Sequence, residues 1–64
     1  MEYLIYSKEN EDTFIETVNS AYEYTTTEFE DNALLFASET AALDMVGHLE
    51  GTTDFWGTRP PRPK

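Results

Sequence analysis

Apolar side chains recur with their clearest helical period in one part of this chain. Within Asp31 to Gly51 the turn pair Asp31-Asn32 is followed by a short apolar run, Ala33-Leu34-Leu35-Phe36-Ala37. Ser38 then stands where a helix N-cap belongs. Behind it Ala42, Met45, Val46 and Leu49 fall at the i, i+3, i+4, i+7 spacing of one helix face. Gly51 occupies the position of a helix C-cap. The pattern predicts a turn, a buried strand over 33–37 and a capped helix over 39–50, with the rest of the chain packed on that unit. Leu34, Phe36, Met45, Val46 and Leu49 are the expected shared core. Gly47 costs the helix about 1 kcal/mol relative to alanine, a cost usually explained by close approach of another backbone or by early fraying.

The remaining elements follow from residue type. Tyr3-Leu4-Ile5-Tyr6 is aromatic and β-branched with apolar residues on both faces, which predicts a fairly central strand. Glu9 to Asp12 reads as a loop. Phe14, Ile15, Val18, Ala21 and Tyr22 lie on a helical stripe, with Asp12 as a cap or Thr13 and Glu16 as a capping box. A helix over 12–22 is the favoured reading. Its β-branched residues Thr13, Ile15, Thr17 and Val18 keep an alternative open, a strand pair turning near Asn19-Ser20. Tyr24 to Phe29 favours a strand and, with the run at 33–37, a hairpin turning at Asp31-Asn32. Glu23, Glu28 and Glu30 suit an exposed edge. Residues 52–58, with Phe55 and Trp56, predict a short last strand.

These elements predict an α+β fold: a small, mostly antiparallel sheet of three to four strands with one or two helices on one face. Residues 1–58 form a single domain, and residues 59–64, Arg-Pro-Pro-Arg-Pro-Lys, form a basic proline-rich tail in extended polyproline form. At 64 residues, with no cysteine and a single histidine, the chain excludes disulfides and a His/Cys zinc site. A chain this short buries only about 60% of its unfolded surface, so its core side chains or a partner must supply stability. It contains no apolar run of membrane-spanning length and no signal peptide, which points to a soluble, cytoplasmic protein.

Charge changes the picture most. Residues 1–58 carry all 13 acidic residues and one base, Lys8, whereas residues 59–64 carry three bases and no acid. The acidic body repels nucleic acid and anionic membrane and is attracted to basic protein surfaces. Motifs for chemistry are missing. His48 has only Asp44, at i−4, as a candidate partner, and its place in the last helical turn is explained by the helix dipole. The acidic loops lack calcium-loop spacing, so they read as solvated surface. There is no glycine-rich phosphate loop and no Gly-x-Ser-x-Gly elbow. Neither an enzyme nor a cofactor is expected. Pro60-x-x-Pro63 lacks the basic spacing of a clean SH3-type ligand.

The segment Phe36-Ala37-Ser38-Glu39-Thr40-Ala41-Ala42-Leu43, then Asp54-Phe55, Thr58-Arg59 and a proline-rich end closing on Lys64, resembles the small RNA polymerase inhibitors of T7-like phages. The resemblance covers residues 33–64 and does not extend to the first half. It implies a small sheet with one helix ahead of the last strand. It also implies binding to the jaw of the host polymerase's largest subunit, which blocks the DNA channel. An arginine ending the family's last strand contributes to that binding, and Thr58-Arg59 matches it. A second family arginine, two residues on, meets Pro61 here.

Together these readings give an expectation: a non-enzymatic, acidic, phage-encoded inhibitor that covers a basic nucleic-acid-binding surface of a host enzyme such as RNA polymerase, itself binding neither nucleic acid nor membrane. Glu23, Glu28, Glu30 and Asp31 are the expected partner-binding carboxylates, with Arg59 and Arg62 as counter-charges. The alternative is a structural or assembly subunit whose exposed Tyr and Trp side chains are completed by a partner.

Overall fold

The computed structural model describes residues 1–49 and 55–62. Four strands, β1 (Leu4–Ser7), β2 (Phe14–Val18), β3 (Tyr24–Thr27) and β4 (Trp56–Arg59), form an antiparallel sheet in the order β3-β2-β1-β4. One helix, α1 (Glu39–His48), packs against β1 and β4. The fold is α+β, as the pattern predicts, and β1 is an interior strand.

Adjacent residues of β1 and β2 serve opposite sides of the sheet. Ile5 and Ile15 join Ala42, Val46, Leu49 and Trp56 in the core beneath the helix, with Tyr3, Val18, Phe36 and Met45 packed around them. Leu4 and Phe14 instead form a second cluster with Ala33, flanked by Tyr6. Leu4, Ile5 and Ile15 are fully buried. This two-sided burial explains why residues 12–22 are not the favoured helix. Phe14 and Ile15 are neighbours on a helix surface, but in a strand they point to opposite faces, and here each face has its own apolar cluster. The alternative reading, a strand pair turning near Asn19-Ser20, is the observed one. Asn19 builds the turn: its Oδ1 accepts from the backbone N–H of Ala21 (2.9 Å) and of Glu23 (3.0 Å). Tyr22 completes it in a left-handed conformation, φ 60°. A register shift between Ile15 and Thr17 bends β2, and the Thr17 and Thr25 hydroxyls share a 2.6 Å hydrogen bond across the pair.

The expected hairpin between 24–29 and 33–37 does not form. β3 pairs with β2, and a single 3-10 turn at Glu30–Asn32 carries the chain away from it. The apolar run is not a strand but a plug. β1 and β2 share one register pair, Tyr6 with Phe14, so their facing backbone groups need other partners. Leu34 N–H donates to the Ile15 carbonyl (2.9 Å), and Tyr3 and Phe36 exchange two bonds, 2.9 and 2.7 Å, as an isolated bridge. Leu34 is half-buried and belongs to neither cluster, which corrects its expected place in the core.

Ser38 caps α1 as predicted: its Oγ accepts from the Ala41 N–H at 3.2 Å. The helix ends at His48 with Leu49 as its C-cap, and the expected stop at Gly51 lies outside the described residues. A Cβ added at Gly47 would meet nothing within 4 Å, so no neighbouring backbone requires a glycine there. Gly57 differs. A Cβ there would lie 2.5 Å from Cζ of Tyr6, so the tyrosine ring lies against β4 only because the side chain is missing.

Candidate functional site

Two of the expected binding residues are brought together by β4 and the 3-10 turn. Arg59 ends β4, paired with Leu4, so the sheet extends one residue into the segment read as tail. Its guanidinium lies over the rings of Phe14 (5.4 Å) and Tyr6 (5.8 Å), a cation-π arrangement. From there Nη2 donates to Oε1 of Glu30 at 2.5 Å, and Nη1 donates to the Pro60 carbonyl at 2.9 Å. The other Glu30 oxygen, Oε2, accepts the backbone N–H of Arg62 at 2.8 Å. One carboxylate therefore anchors the last strand and the start of the proline segment. Both side chains are about three-quarters covered, with 21% and 24% left exposed. The Arg59 hydrogen bond holds the Glu30 carboxyl below its ordinary value. Partial burial opposes that shift, while the Arg62 N–H and the two positive charges reinforce it.

The geometry gives Arg59 and Glu30 to each other, an internal role that their separation by 29 positions conceals in the sequence. Glu28 and Asp31 flank Glu30 and are exposed. Glu23 stands apart, exposed at the other end of β3. Its Oε1 accepts from Asn19 Nδ2 at 3.1 Å. There a shallow cleft of about 320 Å³ opens, lined by Thr17, Val18, Asn19, Glu23, Tyr24 and Thr25. Apart from Glu23, these lining residues were not legible as a site, since they converge only when residues 12–22 fold as a strand. The aromatic ring of Tyr24 is held edge-on to Trp56, centroids 5.3 Å apart.

His48 does not join a catalytic pair. Its ring stacks flat on Tyr22, 4.5 Å between centroids at 10°, across the end of α1 from the hairpin turn. Among the described residues no group of three or more His, Asp or Glu side chains is placed to hold a metal ion, and no helix is long and apolar enough to cross a membrane. Trp56, an expected exposed anchor of the assembly reading, is 97% covered, being only 3% exposed. No protein-family model, curated protein or solved structure matches this chain.

Proposed function

We propose that this protein is a non-enzymatic inhibitor that docks its acidic surface on a basic, nucleic-acid-binding surface of a host enzyme. The observation that carries the reading is the excess of negative charge on the fold. Thirteen carboxylates face four cations in the whole chain. One of those cations, Arg59, is neutralised within the fold by Glu30. The pair removes one charge of each sign and leaves the net at −9, so the outward field is acidic, with Glu23, Glu28 and Asp31 exposed around the two ends of the edge strand β3. Such a field steers association with a basic surface and competes with nucleic acid for it. The similarity of residues 33–64 to phage polymerase inhibitors makes host RNA polymerase the first target to test, with the cytoplasm of the host cell as the site of action.

The test is association with purified host RNA polymerase, followed by interferometry across a salt series, beside a transcription assay. Association is expected to slow steeply with salt. It should slow also when Glu23, Glu28 and Asp31 become Gln, Gln and Asn, with the largest effect at low ionic strength. Equal association rates for the charge-neutralised variant at low salt would overturn the proposal.

A second reading, an assembly subunit, draws on Phe29, which is 68% exposed beside the 3-10 turn. Salt-tolerant self-association abolished by Phe29→Ser would select it.

A further inference from the structure

The cleft at the β2–β3 turn carries more chemical detail than an acidic patch. Its volume, about 320 Å³, lies at the small end of the range for ligand cavities, roughly 300–1,000 Å³, which suits a side chain better than a cofactor. We propose that it receives the guanidinium of an arginine presented by the partner's basic surface, an assignment that rests on the function proposed above and gives that surface a specific seat.

The lining argues for that group through its donors and acceptors. Glu23 contributes a carboxylate, of which Oε1 accepts from Asn19 Nδ2, leaving Oε2 to face a ligand. That bond uses one of the two Asn19 amide hydrogens. The Asn19 Oδ1 accepts two backbone N–H groups and is occupied by the turn. Thr17 and Thr25 share one hydrogen bond between their hydroxyls, and each oxygen keeps lone pairs for further donors. The cleft therefore offers a carboxylate and hydroxyl oxygens as acceptors, and no lining residue is basic. A guanidinium is the complementary group, with five N–H donors and no acceptor. A phosphate or carboxylate ligand would meet the Glu23 charge and the net −9 of the chain.

The spacing of the acceptors sets a preference among cations. Tyr24 pairs with Val18 and turns its ring to the helix side, edge-on to Trp56, whereas Thr17 and Thr25 share the opposite face. A guanidinium presents a planar fork of donors that can meet the Glu23 carboxylate and a threonine hydroxyl together, whereas an ammonium is a compact, strongly hydrated point charge. Access is open because β3 is an edge strand of the sheet. In the ladder alternation Glu23 turns its carbonyl to Asn19, so Tyr24, the next residue, directs its backbone groups outward, where a partner strand can lie.

The experiment is an amide-resolved NMR titration of the intact chain with a capped tripeptide bearing a central arginine, and with its lysine and citrulline counterparts. The arginine peptide is expected to shift the amides of Asn19, Glu23, Tyr24 and Thr25 saturably, the lysine peptide more weakly, and the neutral citrulline peptide not at all. Glu23→Gln, which keeps the shape and the bond from Asn19, should weaken binding about tenfold. Glu9→Gln, exposed on the loop between β1 and β2 and outside the cleft, should leave it unchanged. Shifts spread without saturation over all acidic segments, or equal affinity for Glu23→Gln, would overturn the assignment. The two proposals can fail separately. A basic partner that binds the wild type and Glu23→Gln equally well refutes the cleft and leaves the acidic-surface reading standing. A cleft that saturates with the arginine peptide, in a protein that no basic partner engages, does the reverse.

Discussion

Replacing Glu30 with glutamine removes one charge and keeps the side chain's shape, so it isolates the clasp between the 3-10 turn and β4. An exposed ion pair contributes about 0–1 kcal/mol, and a hydrogen bond to a charged group about 1.5–3 kcal/mol. With roughly a quarter of each side chain exposed, this pair falls between those ranges, near 1–2 kcal/mol. For a domain of this size that corresponds to a melting temperature lower by roughly 4–15 °C. The pH dependence has a definite sign. The folded-state Glu30 pKa is depressed below its ordinary 4.5, mainly by the Arg59 hydrogen bond. Its stabilisation is therefore fully present above the ordinary glutamate value and is lost as pH falls through the lower, folded value. Circular dichroism melts should show wild type above Glu30→Gln at about pH 7 and the two converging in acid, once pH has fallen through the depressed Glu30 pKa. In a double-mutant cycle with Arg59→Met, the two losses should not add, because each removes the same contact. Equal melting temperatures at neutral pH, or a gap that persists unchanged in strong acid, would refute the role given to this clasp.

Two glycine substitutions should have opposite signs. Gly47→Ala enters open space on an exposed helix position and should stabilise by up to about 1 kcal/mol, whereas Gly57→Ala drives a methyl into the Tyr6 ring and should destabilise by about 1–3 kcal/mol. Urea midpoints check both. Ile15→Ala, at a fully buried position, should cost about 2–5 kcal/mol. Leu34→Ala, at a half-buried position, should cost clearly less by the same measurement, and the reverse order would contradict the core described here.

The features legible in the sequence are those whose causes are local. Ser38 and the spacing of Ala42, Val46 and Leu49 specify α1 because a cap and a helical stripe act within a few residues. Leu4-Ile5 announces an interior strand because adjacent large apolar residues need cover on both sides. The acidic excess is plain in the composition and needs no fold. Tertiary structure decided the rest. Phe14, Ile15 and Val18 satisfy either a helix or a two-sided strand. The choice fell to the strand because Leu4 and Ala33, from distant segments, supply a second apolar cluster that Phe14 can enter. The run at 33–37 carries no mark distinguishing a ladder strand from a plug, since that depends on how far β1 and β2 stay paired. The same holds for the expected binding residues. Charge alone nominated Glu30 and Arg59 as surface contacts, but the topology that sets β4 beside β1 places the arginine against Tyr6, Phe14 and Glu30. Placing a charge in the sequence fixes its sign; which charge it meets is set by long-range strand pairing, which a local pattern does not encode.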